Sequence, residues 1–392
     1  MSNNSFHIPY GKQDVSQEDI DAVVETLTAD FLTQGPRISE FEENFAKYVG
    51  AKYAVANSNG TTALHMALVA FGVGEGDRII TSPITFAASA NAARYCGAEV
   101  YFADIDPETY VISITEIEKL LNSHPKGFFK AIVPVDFTGY PVDLEELKEL
   151  AIKHDLFILE DACHAPGGYF LDKNNNRQLC GSANFADAVA FSFHPVKHIA
   201  AGEGGMVTTN NEELYKSFLK LRSHGITKED MVFDIPNGDK QGSWYYEMQE
   251  LGYNYRITDI QAALANSQLK KADAGIIRRH EIADKYRVAF KNVNLKMQRK
   301  DEKHFNAHHL FVIEVEDRKG LYDFLRKNNI FSQIHYIPVH LLPYYKQFGW
   351  KAGDFPSSEN YYEHCISLPM YPSLTNEEQE FVIEKVIEFV NA

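Results

Sequence analysis

The chain has 392 residues, 45% of them hydrophobic, and a formal net charge of −16. That length supports two domains with sizeable cores, and the negative balance argues against a nucleic-acid-binding surface, whose affinity comes mainly from lysine and arginine. No run approaches the roughly 18 apolar residues that a membrane span needs, so a soluble, cytoplasmic protein is expected. The four cysteines, Cys96, Cys163, Cys180 and Cys365, form no CxxC pair and read as reduced thiols.

Ser16 to Asp30 reads as an amphipathic helix, with Ser16 as N-cap and Ile20, Val23, Val24 and Leu27 on its apolar face. The Gly35-Pro36 step ends it and makes 31–36 a loop. A second helix, Ser39 to Val49, precedes a short strand, Tyr53 to Asn57. The chain then passes through a glycine turn into a helix whose free N-terminal amides, at Gly60 and Thr61, form a candidate anion seat. Many strand-to-helix turns look like this and bind nothing, and neither a GxxxxGK[ST] loop nor a GxGxxG turn is present.

Strands at 78–83, 99–104, 130–136 and 156–161 alternate with helices at 85–96 and 144–154, which predicts βαβ units and a largely parallel sheet covered on both faces. Phe86 opens one of these helices, where it serves either a flat ligand ring or the core. The strand Leu156 to Asp161 is apolar and ends on carboxylates, and acids at such strand tips face the ligand crevice of open α/β sheets. Lys173 to Gln178 is a polar loop. The strand Ala188 to Phe193 carries Ser192, a candidate phosphate ligand, and leads into a stretch of small residues and glycines around Lys197. An amine that must lose its charge and attack a carbonyl needs such a tight, partly desolvated pocket. Lys197 and Asp161 together are the pair that a pyridoxal phosphate enzyme requires, one to bond the aldehyde and one to keep the ring nitrogen protonated.

A strand at 204–209 and a helix at 212–224 follow, and then a polar, aromatic segment, 227–250, expected to be a loop over the site. Thr258 N-caps a long helix running to about Phe290 and linking two domains. Leu310 to Val315, a helix at 318–328, a strand from Phe331 to Tyr336 and a terminal helix at 376–390 make a small α+β unit. The expected division is 1–265, a cofactor-binding α/β domain with an N-terminal arm, and 266–392. His194 with His198, and His304 with His308 and His309, lack ligand grammar such as HExxH, so no metal is expected.

Six motifs in order, Asn59-Gly-Thr-Thr-Ala-Leu64, Glu160-Asp-Ala-Cys-His-Ala165, Ser192-Phe-His-Pro-Val-Lys197, Gly202-Glu-Gly-Gly205, Arg222-Ser-His-Gly225 and the stretch Leu251 to Leu264, resemble the DegT/DnrJ/EryC1/StrS sugar aminotransferases. The resemblance implies an α/β, fold-type I pyridoxal phosphate transferase with a large, mixed, mostly parallel sheet domain and a smaller C-terminal α+β domain. It also implies that Lys197 carries the Schiff base, Asp161 pairs with the ring nitrogen, Phe86 stacks on the ring and His164 lies near its O3 side. Gly60, Thr61 and Ser192 would then hold the phosphate, and Asn254 would reach the neighbouring subunit's phosphate site in a homodimer. Tyr10, the loop Leu32, Thr33, Gln34 and Gly35, and Gln333, Ile334, His335 and Tyr336 resemble substrate-contacting segments.

The acceptor implied is a nucleotide-linked keto sugar. Ile8-Pro-Tyr-Gly11, Ser82-Pro-Ile-Thr-Phe86, the Trp244 to Asn254 stretch and Ser367 to Pro372 resemble in particular the branch that forms UDP-4-amino-4,6-dideoxy-N-acetyl-β-L-altrosamine for pseudaminic acid, with glutamate as the expected donor. The alternatives are an acceptor of the bacillosamine or perosamine type, or a non-catalytic, cofactor-binding member. Members with histidine in place of the lysine dehydrate their sugars, and this chain keeps Lys197. Arg222, Arg256 and His335 are the candidates for the donor carboxylate.

Overall fold

Short runs rich in valine, isoleucine and alanine become the seven strands of a central sheet in the computed structural model, which describes residues 6–229, 231–232 and 241–392. They are β1 Tyr53–Asn57, β2 Arg78–Thr81, β3 Glu99–Phe102, β4 Ala131–Val133, β5 Phe157–Asp161, β6 Ala188–Ser192 and β7 Gly205–Thr209. Their order across the sheet is β1-β7-β6-β5-β4-β2-β3. Every pairing is parallel except those of β7, which runs antiparallel to both β1 and β6.

Successive side chains of a strand point to opposite faces, and the two faces feed two cores. Ile80, Ile132, Ile158, Val189 and Phe191 join Phe41 and Phe45 in one. Ile79, Val133, Leu159, Ala190 and Val207 join Met66, Leu68 and Phe218 in the other. After α1 Gln17–Leu27, the helices that supply these partners include α2 Pro36–Val49, α3 Gly60–Ala70, α4 Ala88–Tyr95, α5 Ile114–Asn122, α6 Leu144–His154 and α7 Glu212–Arg222. A third core gathers Ile282, Tyr286, Phe311, Ile313, Leu321, Ile366 and Val386. It lies against a small antiparallel sheet, β8 Lys296–Met297, β9 Phe311–Glu314 and β10 Cys365–Leu368. Ile8 joins that core, and Ile8–Pro9 pairs with Ile330–Phe331, which pins the N-terminal arm beside the residues around His335.

Several expectations are corrected. The helix at 16–30 is shorter, Gln17–Leu27, and its apolar face is not buried: Ile20, Val24 and Leu27 are 47, 53 and 54% exposed, while Asp19 and Thr26 are buried. Asp19 docks the helix instead, accepting from Gln268 Nε2 and Lys271 Nζ, each at 2.7 Å. Pro36 does not stop a helix but starts α2 at its first turn, where proline's missing N–H costs nothing. The loop at 173–178 is the turn of a hairpin, Tyr169–Leu171 with Arg177–Leu179, closed by Asp172 accepting from the amides of Asn174 and Asn176.

The helix opened by Phe86 begins at Ala88. The long helix after Thr258 is two, α8 Asp259–Leu269 and α9 Ala272–Ala289, separated where Lys270 and Lys271 donate three residues back and tighten the turn. The strand Phe331 to Tyr336 shrinks to Ile330–Phe331. Beyond it Gln333 bridges Ser367, and the His335 carbonyl accepts from the Tyr361 hydroxyl in place of a strand partner. Of the segment 227–250, residues 230 and 233–240 lie outside the described residues, and Ile226–Thr227 pairs with Glu247–Met248.

Candidate active site

The site gathers where β5, β6 and the turn after β1 end. Gly205, the first residue of β7, is registered against both Asn57 and Ser192. A Cβ on Gly205 would stand 2.4 Å from the Asn59 carbonyl oxygen, and one on Gly60 would stand 2.9 Å from Ser192 Cβ and 3.3 Å from Cys163 Sγ. Two glycines therefore let three strand ends close on one another. Asn59 caps α3, its side chain accepting from Thr62 N at 2.9 Å. The amides of Gly60 and Thr61, which no helical carbonyl can reach, are left beside the Ser192 hydroxyl, a ready seat for an anion.

Lys197 sits in the turn that follows β6, its amide donating to His194 O at 2.8 Å. Burial pushes its amine below the ordinary lysine value, against the opposing pull of Cys163 and Asp161. Asp161 is only 4% exposed. It accepts from Ser89 Oγ at 2.6 Å and from Cys163 N at 3.2 Å, and Ser89 Oγ is itself 2.7 Å from Thr85 Oγ1. No role for Ser89 or Thr85 follows from the sequence, whose one signal there is two hydroxyls in and just before an alanine-rich helix, which by itself names no partner.

Histidines and tyrosines close the other side. The His164 ring is 4.2 Å from that of His309 and 6.5 Å from that of Tyr336. Its Nδ1 is buried and without a hydrogen-bond partner among the described residues, as are Nδ1 of His198 and of His309. Burial first, and then neighbouring charges that include Lys197, hold all three imidazoles well below the usual histidine range. Tyr336 lies 6.0 Å from Phe86, and its hydroxyl is pushed up by burial and then by Tyr10, Asp161 and Cys163. Tyr10 packs 5.2 Å from His335, whose Nδ1 is 2.8 Å from Ser367 Oγ. Burial and then Lys197 push His335 down to about 3. Phe86, placed at the rim, is 62% exposed.

Gly60, Thr61, Phe86, Asp161, His164, Ser192, Lys197, Tyr10, His335 and Tyr336 are thus brought together. The remaining expected residues are not. Leu32, Thr33, Gln34 and Gly35 lie on the start of α8, with Asp259 N donating to Leu32 O at 3.0 Å and Gly35 N to Asp259 Oδ2 at 2.8 Å. Gln333 is exposed at the Ser367 bridge, and Ile334 packs between two cores. Asn254 is exposed, and its side chain makes no hydrogen bond among the described residues. Arg222 is occupied by Glu42 and by the Ala56 carbonyl, whereas Arg256 has no ion pair among the described residues. His304 pairs with Asp301 and His198 Nε2 with Ala307 O, each at 2.9 Å.

The cradle that a Cβ would fill, the orphaned His164 Nδ1 and the facing Lys197 and Asp161 fit pyridoxal phosphate. The amides of α3 and Ser192 can take its phosphate, Lys197 its aldehyde carbon and Asp161 its ring nitrogen. Residues 13–387 match the model of the DegT/DnrJ/EryC1/StrS aminotransferase family. The chain is 40% identical over 401 residues to the spore coat polysaccharide biosynthesis protein SpsC of Bacillus subtilis strain 168, covering 100% of this chain and 99% of that one. It is 35% identical over 384 residues to the UDP-4-amino-4,6-dideoxy-N-acetyl-β-L-altrosamine transaminase of Campylobacter jejuni strain 81-176, covering 96% and 95%. Its fold is that of Spr1654 of Streptococcus pneumoniae in the PLP form, with a TM-score of 0.89 at 28% identity, covering 98% and 99%. The chain belongs to the DegT/DnrJ/EryC1/StrS aminotransferase family, and it is a pyridoxal phosphate-dependent sugar aminotransferase.

Proposed function

We propose that this enzyme moves an amino group from glutamate to C4 of a UDP-linked 4-keto-6-deoxy-N-acetylhexosamine, giving UDP-4-amino-4,6-dideoxy-N-acetyl-β-L-altrosamine for pseudaminic acid. Residues 1–265 form the cofactor-binding unit and 266–392 the smaller one. The observation that carries the reading is the Lys197 amine, pressed toward neutrality opposite a buried, hydrogen-bonded Asp161; likeness to the Campylobacter transaminase over 96% of the chain supports the acceptor.

When bound, pyridoxal phosphate supplies an electron-accepting ring that stabilises the charge left when a proton leaves the adjoining carbon. The chain does the rest. Gly60, Thr61 and Ser192 would hold the phosphate and so keep the ring in one orientation. Asp161, kept in place by Ser89, would hold a proton on the ring nitrogen. Phe86 and His164 would flank the ring. Lys197 Nζ would carry the cofactor at rest and, once displaced by the incoming amino group, would be the free base placed to take a proton from the α-carbon of glutamate and, in the second half of the reaction, to return one to C4 of the sugar. A depressed amine pKa serves this role, because a base must be unprotonated when it acts. Burial keeps His164, His198, His309 and His335 from competing with the amine for that proton as charged groups.

We assign the active form as a homodimer. The exposed apolar row Ile20, Val24, Leu27, Phe31 and Leu32 supports a covered face, and an outward Asn254 supports a residue that completes the partner's phosphate seat. A second reading, an acceptor with another sugar or nucleotide, is favoured by the 40% identity to SpsC. Incubating the holoenzyme and glutamate with a panel of synthesised nucleotide-linked 4-keto sugars, and identifying products by mass spectrometry and NMR, decides between them. Amination of a GDP- or dTDP-linked ketone with the UDP-linked one left untouched replaces the acceptor.

A further inference from the structure

Behind Asp161, on the core side of the strand ends, lie three buried groups that the mechanism does not use. A carboxylate oxygen of Asp136, one of Glu160 and the Cys180 sulfur stand within 4.8 Å of one another, and all three residues are no more than 2% exposed. Each acid has one oxygen held by an amide: Val142 N donates to Asp136 Oδ1 at 2.9 Å, and Gly181 N to Glu160 Oε2 at 3.3 Å. The other oxygens, Asp136 Oδ2 and Glu160 Oε1, are buried and accept no hydrogen bond among the described residues. Two charged carboxylates away from water repel each other, whereas one proton between them removes a charge and makes the hydrogen bond that joins the two side chains.

We infer that Asp136 and Glu160 share a single proton between their unpartnered oxygens, and that this pair is a positioning element for Asp161, facing it with one buried negative charge instead of two. The link is short. Glu160 is the chain neighbour of Asp161, Asp136 N donates to Asp161 O at 3.1 Å, and Asp161 N donates to Pro134 O at 2.8 Å, so movement of either acid moves the Asp161 backbone. The titratable groups facing the pair are Asp161, Cys163 and Cys180. Burial, ahead of every other cause, raises both acids above the usual carboxylate range, Glu160 the further. Loss of the shared proton at alkaline pH would set a second charge against Asp161, and the repulsion would push its carboxylate out of place opposite the ring nitrogen. The inference rests on Asp161 as that nitrogen's partner; the proton itself is tested without it.

The test uses the full-length protein with Glu160→Gln, Asp136→Asn and Glu160→Ala. In apo-protein at neutral pH, difference infrared spectra are expected to show a protonated-carboxyl band that vanishes on alkaline titration and is missing from E160Q and D136N. Cofactor affinity, from pyridoxal phosphate titration of apo-protein, is expected to fall at alkaline pH in the parent and to fall less in E160Q, whose amide keeps the hydrogen bond without a titrating proton. E160A is expected to lose about tenfold or more in affinity, as when a buried bond is left half-made, and E160Q to restore most of it. If E160A does not fold, the two amide variants still decide. Absence of the band, identical alkaline profiles in parent and E160Q, or a stoichiometric metal ion lost in E160Q overturns the proposal. Because the band is read without cofactor or sugar, its absence leaves the acceptor assignment intact.

Discussion

Replacing Gly60 by alanine sets two effects of opposite sign against each other at the phosphate seat. Alanine is favoured over glycine by up to about 1 kcal/mol inside a helix, so at the first residue of α3 an uncrowded methyl would stabilise the protein. The methyl is not uncrowded: it would lie 2.9 Å from Ser192 Cβ and 3.3 Å from Cys163 Sγ and Ser192 Oγ. Ser192 Cβ is fixed by β6 and cannot swing aside, so the strand end or the helix must move, and overpacking of this kind costs about 1–3 kcal/mol. The crowding wins, and denaturant unfolding of apo-G60A is expected to show a loss of about 0.5–2 kcal/mol. The same shift misaligns the amides that would hold the phosphate. A hydrogen bond to a charged group contributes about 1.5–3 kcal/mol, so cofactor affinity is expected to drop about ten- to a hundredfold, followed through the visible band of the lysine-bound form as apo-protein is titrated with pyridoxal phosphate. A G60A protein as stable as its parent, with unchanged affinity, refutes the cradle.

Ser89→Ala removes the 2.6 Å bond to Asp161 Oδ2 without opening a cavity, and is expected to cost the apo-protein about 1.5–3 kcal/mol; denaturant midpoints that coincide with the parent's contradict the bond's weight. His335 has a folded pKa of about 3, below its unfolded value of 6.5. Its contribution is therefore present above pH 6.5 and lost as pH falls towards 3, with a slope of up to about 1.4 kcal/mol per pH unit. A His335→Asn protein should lose that slope in acid unfolding, and parallel acid profiles would rule the histidine out. Chains carrying Lys197→Ala and Asn254→Ala are each expected to be nearly inactive alone and to regain turnover when co-assembled, since one site of the mixed dimer has both residues; no recovery in verified mixed dimers removes Asn254 from the partner's site.

Much of the fold is legible in the chain because its signals are local. Buried parallel strands read as short apolar runs, and caps such as Asn59 and Thr258 sit where polar side chains precede apolar helices. What α1 faces is not local: the spacing of Ile20, Val24 and Leu27 marks a stripe, but periodicity cannot say whether this chain or another body covers it. The break at 270–271 was hidden because Lys270 and Lys271 are good helix formers, and the hairpin at 169–179 because its polar turn is read before its pairing. In the site, Lys197 and Asp161 announce themselves by what surrounds them in sequence. Ser89, Thr85 and His309 do not, since their roles come from contacts across many residues of chain. Leu32 to Gly35 and Asn254 were named by resemblance, and both lie at the surface.

Strand β7 has a consequence for how the molecule is made. Among the described residues β1 has no strand neighbour except β7, which is also the last of the seven to leave the ribosome. Synthesis runs from the N-terminus, so the first strand waits as an unpaired edge until residues 205–209 emerge and slot in between it and β6. Only then can Gly60 meet Ser192. A nascent chain cut short of Thr209 has no phosphate seat, which makes vitamin capture a mark of completed translation through that point.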